Sequence, residues 1–236
     1  MIFRTFYNYY IIELFIFAFQ KSMFKLLENS LEFPPLSLAN KDGLLAYGGD
    51  LSVARLLSAY QKGIFPWYEE GDNILWWTPD PRMVLFPEEV KISKSMRSLI
   101  RKNIYKITEN QAFEKVIKQC AEVSRKGQKG TWLNKDMIEA YINLYKEGKA
   151  FSVEVWNKNN ELVGGLYGVH NSPKVISGES MFHLEPNTSK LAFIHLAQKA
   201  QKEKIKVIDC QLYTRHLESM GAREIPRAEF MSYLQE

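Results

Sequence analysis

Two hydrophobic rhythms alternate along the chain. A helical period predicts a helix over 51–62 with Leu51, Ala54, Leu57 and Ser58 on one face, Asp50 or Ser52 as its cap and Gly63 as its stop. The same period marks 92–102, 111–123 and 135–147. The second of these has Ala112, Phe113, Val116, Ile117 and Cys120 as its apolar stripe; the third turns Met137, Ile138, Tyr141 and Leu144 inward. A longer helix spans 188–204, with Leu191, Ile194, Ala197 and Gln198 on successive turns. Shorter apolar or alternating runs read as strands over 82–87, 105–108, 151–156, 162–169, 174–182 and 205–211. A short helix from His216 stops at Gly221, and 225–234 closes the domain. The C-terminal half therefore runs helix, helix, antiparallel strands, helix, strand, helix. That order predicts an α+β fold with helices packed on a mixed sheet.

The first third is less regular. Phe33-Pro34-Pro35 is extended, and Gly48-Gly49-Asp50 reads as a tight turn with a cap. It lacks a phosphate-loop pattern, and Asp50 would repel a phosphate. Residues 63–68 and 74–82 are dense in Pro and Trp, which need burial or a flat ligand. A boundary near Pro81 separates a small N-terminal domain, 23–81, from a larger one, 82–236. Residues 1–22 are rich in Phe, Tyr and Ile, but Glu13 breaks the run below the roughly 20 residues a membrane helix needs. They are expected to be a dispensable, non-native extension, with Met23 opening an ordinary N-terminus.

Composition adds limits. A net charge of +4 is compatible with a nucleic-acid partner without requiring one. Cys120 and Cys210 form no CxxC or zinc spacing, and the four His are scattered, so a metal site is disfavoured and a cytoplasmic setting is the default. Lys94, Arg97 and Arg101 share one helix face, with Lys102 beside them. Such a face is most often merely solvated, but it also suits a phosphate backbone.

The stretch Val207-Ile208-Asp209-Cys210-Gln211 concentrates the candidate chemistry. Strand alternation would place Asp209 and Gln211 on one face and Cys210 on the other. A carboxylate beside a carboxamide could hold and deprotonate an amine, or satisfy backbone groups at a strand end.

Ten segments in order, among them GLLAYGGDLS (43–52), AYQKGIFPWY (59–68), ILWWTPDPRMVLFP (74–87), GTWL (130–133), GESMF (178–182), IDCQ (208–211) and HLESMGAREIPR (216–227), resemble the leucyl/phenylalanyl-tRNA–protein transferase family over about 33–236. The resemblance implies a small N-terminal α/β domain followed by a GNAT-like acyltransferase domain. It implies transfer of Leu, Phe or Met from aminoacyl-tRNA to proteins with N-terminal Arg or Lys, feeding N-end rule degradation in the cytoplasm. No metal or other cofactor and no membrane partner is implied, and a monomer is expected. Carried over residue by residue, it sets Gln211 to hold the amine, Asp209 to help draw off its proton, and Glu179 at the donor's aminoacyl end. A tRNA ribose hydroxyl is the competing proton acceptor. Tyr60, Trp67 and Trp132 would lie at the terminal adenosine. Leu166, Ile176, Met181, Phe193, Leu196 and Ile208 would line the donor side-chain pocket, with Ile176 and Leu196 standing where some relatives carry aromatic residues. Lys94, Arg97, Arg101 and Lys102 would track the tRNA backbone.

Two other readings remain open. One is an RNA-binding module without chemistry. The other is an acetyl-CoA-dependent N-acetyltransferase, disfavoured because Glu185–Lys190 lacks the pyrophosphate-binding loop such enzymes place before a helix.

Overall fold

The computed structural model describes residues 24–122 and 133–236. The expectations for 1–22 and for Trp132 lie outside the described residues. Two sheets divide the chain. The first holds β1 (Phe24–Leu26), β2 (Leu44–Gly48), β3 (Phe65–Pro66) and β4 (Leu75–Trp77) in the order β1-β2-β4-β3. The turn expected at Gly48-Gly49-Asp50 lies at the end of β2, with Gly48 and Gly49 at φ 80° and 72°. The helix α1 (Val53–Gln61) follows, capped by Ser52, whose side chain accepts from the Arg55 backbone N–H.

The buried face of α1 differs from the one the period suggests. It carries Arg55, Leu56, Ala59 and Tyr60. Arg55 is drawn inward because its Nη2 donates to the carbonyls of Leu27 and Glu28 and pairs with Asp50. Apolar side chains alone do not reveal this polar anchor.

The second sheet has seven strands in the order β11-β5-β10-β9-β8-β7-β6. These are β5 (Arg82–Leu85), β6 (Lys106–Glu109), β7 (Ala150–Trp156), β8 (Leu162–His170), β9 (Val175–His183), β10 (Val207–Gln211) and β11 (Arg223–Ile225). Within this sheet, among the described residues, only β9 and β10 pair in parallel, joined by the crossover helix α5 (Thr188–Lys202). Two helices expected from the helical period, α3 (Phe113–Glu122) and α4 (Lys135–Lys146), pack with the N-terminal sheet on one face. On the other face lie α5 and Met96 of α2 (Lys94–Lys102). The short α6 (Arg215–Ser219) and the final α7 (Arg227–Leu234) complete the α+β architecture. Among the described residues no helix is long and apolar enough to cross a membrane.

One core joins the two sheets. Leu45, Leu56, Tyr60 and Trp76 of the N-terminal part pack with Val116, Met137, Tyr141 and Tyr167 of the larger part. Burial of this size orients the small sheet over the ends of β9 and β10.

Candidate active site

The central parallel pair opens into a cleft. β9 and β10 pair only from Val207↔Val175 to Asp209↔Ser177 and then diverge. The gap is lined by Gly178, Glu179, Ser180 and Met181 from β9, by Cys210 and Gln211 from β10, and by Phe65, Pro66 and Trp67 from the N-terminal sheet. Its volume is about 510 Å³, and most of its lining is apolar.

Two β-bulges aim the polar groups. Opposite β8, Tyr167 pairs with Ser180 and Gly168 with Gly178, so Glu179 is the extra residue. A side chain at position 168 would collide with the Ser177 carbonyl, so only glycine lets the strands close around this bulge. Opposite β5, Asp209 pairs with Val84 and Gln211 with Met83, which leaves Cys210 unmatched and Gln211 at φ 64°. The bulge overturns the expected alternation: Cys210 and Gln211 both line the cleft, while Asp209 faces away from it.

Asp209 is fully buried and locked. Arg82 Nε and Nη2 donate to its two carboxylate oxygens at 2.8 and 2.7 Å. Ser177 Oγ adds a bond at 3.2 Å, and the Gln211 backbone N–H donates to Oδ1 at 2.9 Å. Arg82 is itself sandwiched between the rings of Phe65 and Phe230, at 4.8 and 4.9 Å. The carboxylate therefore ties β10 to β5 and holds the left-handed turn of Gln211.

Glu179 is the carboxyl that reaches the cleft. Gln211 Nε2 donates to its Oε1 at 2.8 Å, and the Tyr141 hydroxyl donates to Oε2 at 3.2 Å. Tyr60 Oη lies 2.6 Å from Tyr141 Oη, which extends the chain inward. Burial is the main cause that pushes the Glu179 carboxyl up to about 7; the Gln211 and tyrosine hydrogen bonds oppose it, and the Asp209 charge adds to it. Glu179 makes no ion pair among the described residues.

The other expected residues divide. Trp67, Leu166, Met181 and Phe193 line the cleft. Trp67 is held by Trp77, whose ring lies 5.5 Å away and whose Nε1 donates to the Trp67 carbonyl. Tyr60 is buried in the core and offers no free ring face, and its hydroxyl anchors Tyr141. Ile208 is wholly buried in the core under α5. Ile176 and Leu196 border a separate crevice near His170 and Glu109, Ile176 lying where β9 is still paired to β10. The cleft wall is completed instead by Phe65, Leu212 and His216.

Sequence reasoning missed Arg82 and Tyr141 as members of the site. An arginine inside an apolar, proline-bounded strand needs a buried acid, and Asp209 is its counterpart. Tyr141 is legible in sequence only as an inward helical residue, since nothing local shows where its hydroxyl ends. Outside the cleft, Lys94, Arg97, Arg101 and Lys102 are exposed on α2, and none forms an ion pair among the described residues. Ser93 caps that helix by accepting from the Met96 backbone N–H.

A buried carboxyl beside a carboxamide in an apolar cleft, on an α+β frame, is an arrangement that could hold an amine and exchange a proton with it. The profile described as leucyl/phenylalanyl-tRNA protein transferase matches residues 84–235, and that of its N-terminal domain matches 49–80. A leucyl/phenylalanyl-tRNA–protein transferase of Christiangramia forsetii is 56% identical over 204 residues, covering 86% of this chain and 96% of that one. One from Flavobacterium johnsoniae is also 56% identical over 204 residues, covering 86% and 95%. The chain belongs to the leucyl/phenylalanyl-tRNA–protein transferase family, and it is an aminoacyltransferase. Among solved structures, a GCN5-related N-acetyltransferase from Kribbella flavida superposes with a TM-score of 0.39 and 8% identity, over 69% of this chain and 56% of that one. The α+β assignment rests on the strand order itself.

Proposed function

We propose that the protein transfers Leu, Phe or Met from a charged tRNA to the α-amine of proteins that begin with Arg or Lys, in the cytoplasm, marking them for N-end rule degradation. Membership in the family across both matched segments carries this reading. The cleft supports it. An aminoacyl ester is already activated, so aminolysis needs placement of a neutral amine and support for the developing charge rather than a cofactor.

In this reading the apolar wall of Leu166, Met181 and Phe193 receives the donor side chain, and Trp67 offers a ring face to the terminal adenosine. Gln211 donates through Nε2 to Glu179, which leaves its carbonyl oxygen to accept from the incoming amine. Asp209 and Arg82 hold the Gln211 backbone in place. A hydrophobic pocket separates similar apolar side chains by only about 1–3 kcal/mol, so several donors are expected. The exposed cations of α2 follow the tRNA backbone.

The test is direct. The full chain is incubated with labelled Leu-tRNA and a peptide that begins with Arg, and label should appear on the peptide's amine. Gln211→Ala should slow its appearance. Binding of tRNA without any labelled peptide would replace the transferase with an RNA-binding module.

A further inference from the structure

We propose that Glu179, rather than Asp209, takes the proton from the acceptor's α-amine as that amine attacks the aminoacyl ester. The inference rests on the transferase reading above and assigns its proton transfer.

Access decides first between the two carboxyls. Glu179 borders the cleft, whereas Asp209 is turned away by the β10 bulge. Both oxygens of Asp209 accept charge-assisted bonds from Arg82, which is itself buried. Protonating Asp209 would leave that guanidinium as an uncompensated charge inside the core. Glu179 has no such constraint. The groups that face it are Tyr141 from α4, Tyr60 behind it from α1, Tyr167 against the Tyr141 ring from β8, and Gln211 from β10. None of these carries a charge. Asp209, also on β10, presents the nearest charge, and Arg82 of β5 pairs with it. Hydroxyls can reorient as the carboxyl gains or loses a proton, so the site tolerates both states. Burial already poises Glu179 near neutrality, where a general base is most effective.

The step balances without a further reactant. The amine nitrogen forms a bond to the ester carbonyl carbon, and its excess proton passes to a Glu179 carboxylate oxygen. The carbon–oxygen bond to the tRNA ribose then breaks. The departing ribose oxygen takes up that proton, and the carboxylate is regenerated.

The experiment follows the pH profile of single-turnover transfer with saturating enzyme. Donors are Leu-tRNA and tRNA carrying the α-hydroxy analogue of Leu, with acceptor peptides of two different α-amine pKa values. In the parent protein, one inflection should stay fixed when the acceptor changes. Glu179→Gln should abolish that inflection and slow transfer by about 10²-fold or more. The loss should be the same with both donors. Glu179→Asp should restore the inflection at a reduced rate. An inflection that survives in a folded Glu179→Gln protein would overturn the proposal. So would a rate loss that vanishes with the α-hydroxy donor, because Glu179 would then serve the donor's ammonium. A parent protein that labels no peptide at all would take down the transferase reading, and this inference with it.

Discussion

Asp209 and Glu179 stand on the two strands that border one cleft, and both carboxyls are nearly closed off from water. They have opposite chemical characters. Asp209 meets a guanidinium in bidentate geometry, which occupies both of its oxygens. Glu179 meets an amide and a hydroxyl, and burial lifts it to about 7. Depth alone therefore says little about a carboxyl. The partner decides whether the site is a rivet or a reactive group.

That contrast can be broken from either side. The largest effect is expected at the rivet. Arg82→Met leaves Asp209 charged and alone in the core and should cost about 3–5 kcal/mol of stability in urea unfolding. Adding Asp209→Leu should recover much of that loss, because an apolar pair needs no desolvated charge. A double variant no more stable than the single one would show that the pair contributes through geometry instead.

A smaller effect belongs to Glu179. Its folded carboxyl titrates near 7, above the usual value of 4.5, so the folded state retains a proton that the unfolded chain has already lost. Stability from this group is complete below pH 4.5 and declines as pH rises through 7. The total is at most about 3 kcal/mol, from roughly 1.36 kcal/mol per pKa unit. Unfolding followed from acid to mildly alkaline pH should show a steeper decline in the parent than in Glu179→Gln. Parallel curves would mean that Glu179 is not raised.

The smallest change in fold stability should come from the surface. Replacing Lys94, Arg97 and Arg101 with Ala should alter stability by no more than about 0.5 kcal/mol and leave both carboxyls untouched. It should reduce the slope of tRNA affinity against salt by about one for each phosphate that is no longer neutralised. An unchanged slope would place the tRNA elsewhere.

Much of the larger sheet is legible in the sequence because its signals are local. Helix α2 shows in its spacing, although it starts at Lys94 after the Ser93 cap rather than at residue 92, and β7 to β9 show in their apolar runs. The site is legible in membership but not in aim. Gln211, Glu179, Trp67, Leu166, Met181 and Phe193 meet at the cleft, yet Asp209 faces opposite to the direction its alternation predicts. A bulge adds one residue and reverses everything after it, and no residue type at Cys210 announces one. The Arg82–Asp209 pair spans 127 positions, a separation that periodicity does not register. In β2 and β4, short strands among Gly, Pro and Trp stay hidden because their pairing is set by the packing of Trp76 and Leu45 rather than by alternation.

The ring of Phe230 that covers Arg82 belongs to the final helix. A chain emerging from the ribosome would make β5 early and then carry a bare arginine until β10 and that helix arrived. The turn of Gln211 at the cleft waits on those later segments, since Gln211 is held by Asp209 and Asp209 by Arg82. The geometry of a cleft built largely from β9 and β10 thus depends on a ring supplied by a helix that lies outside it.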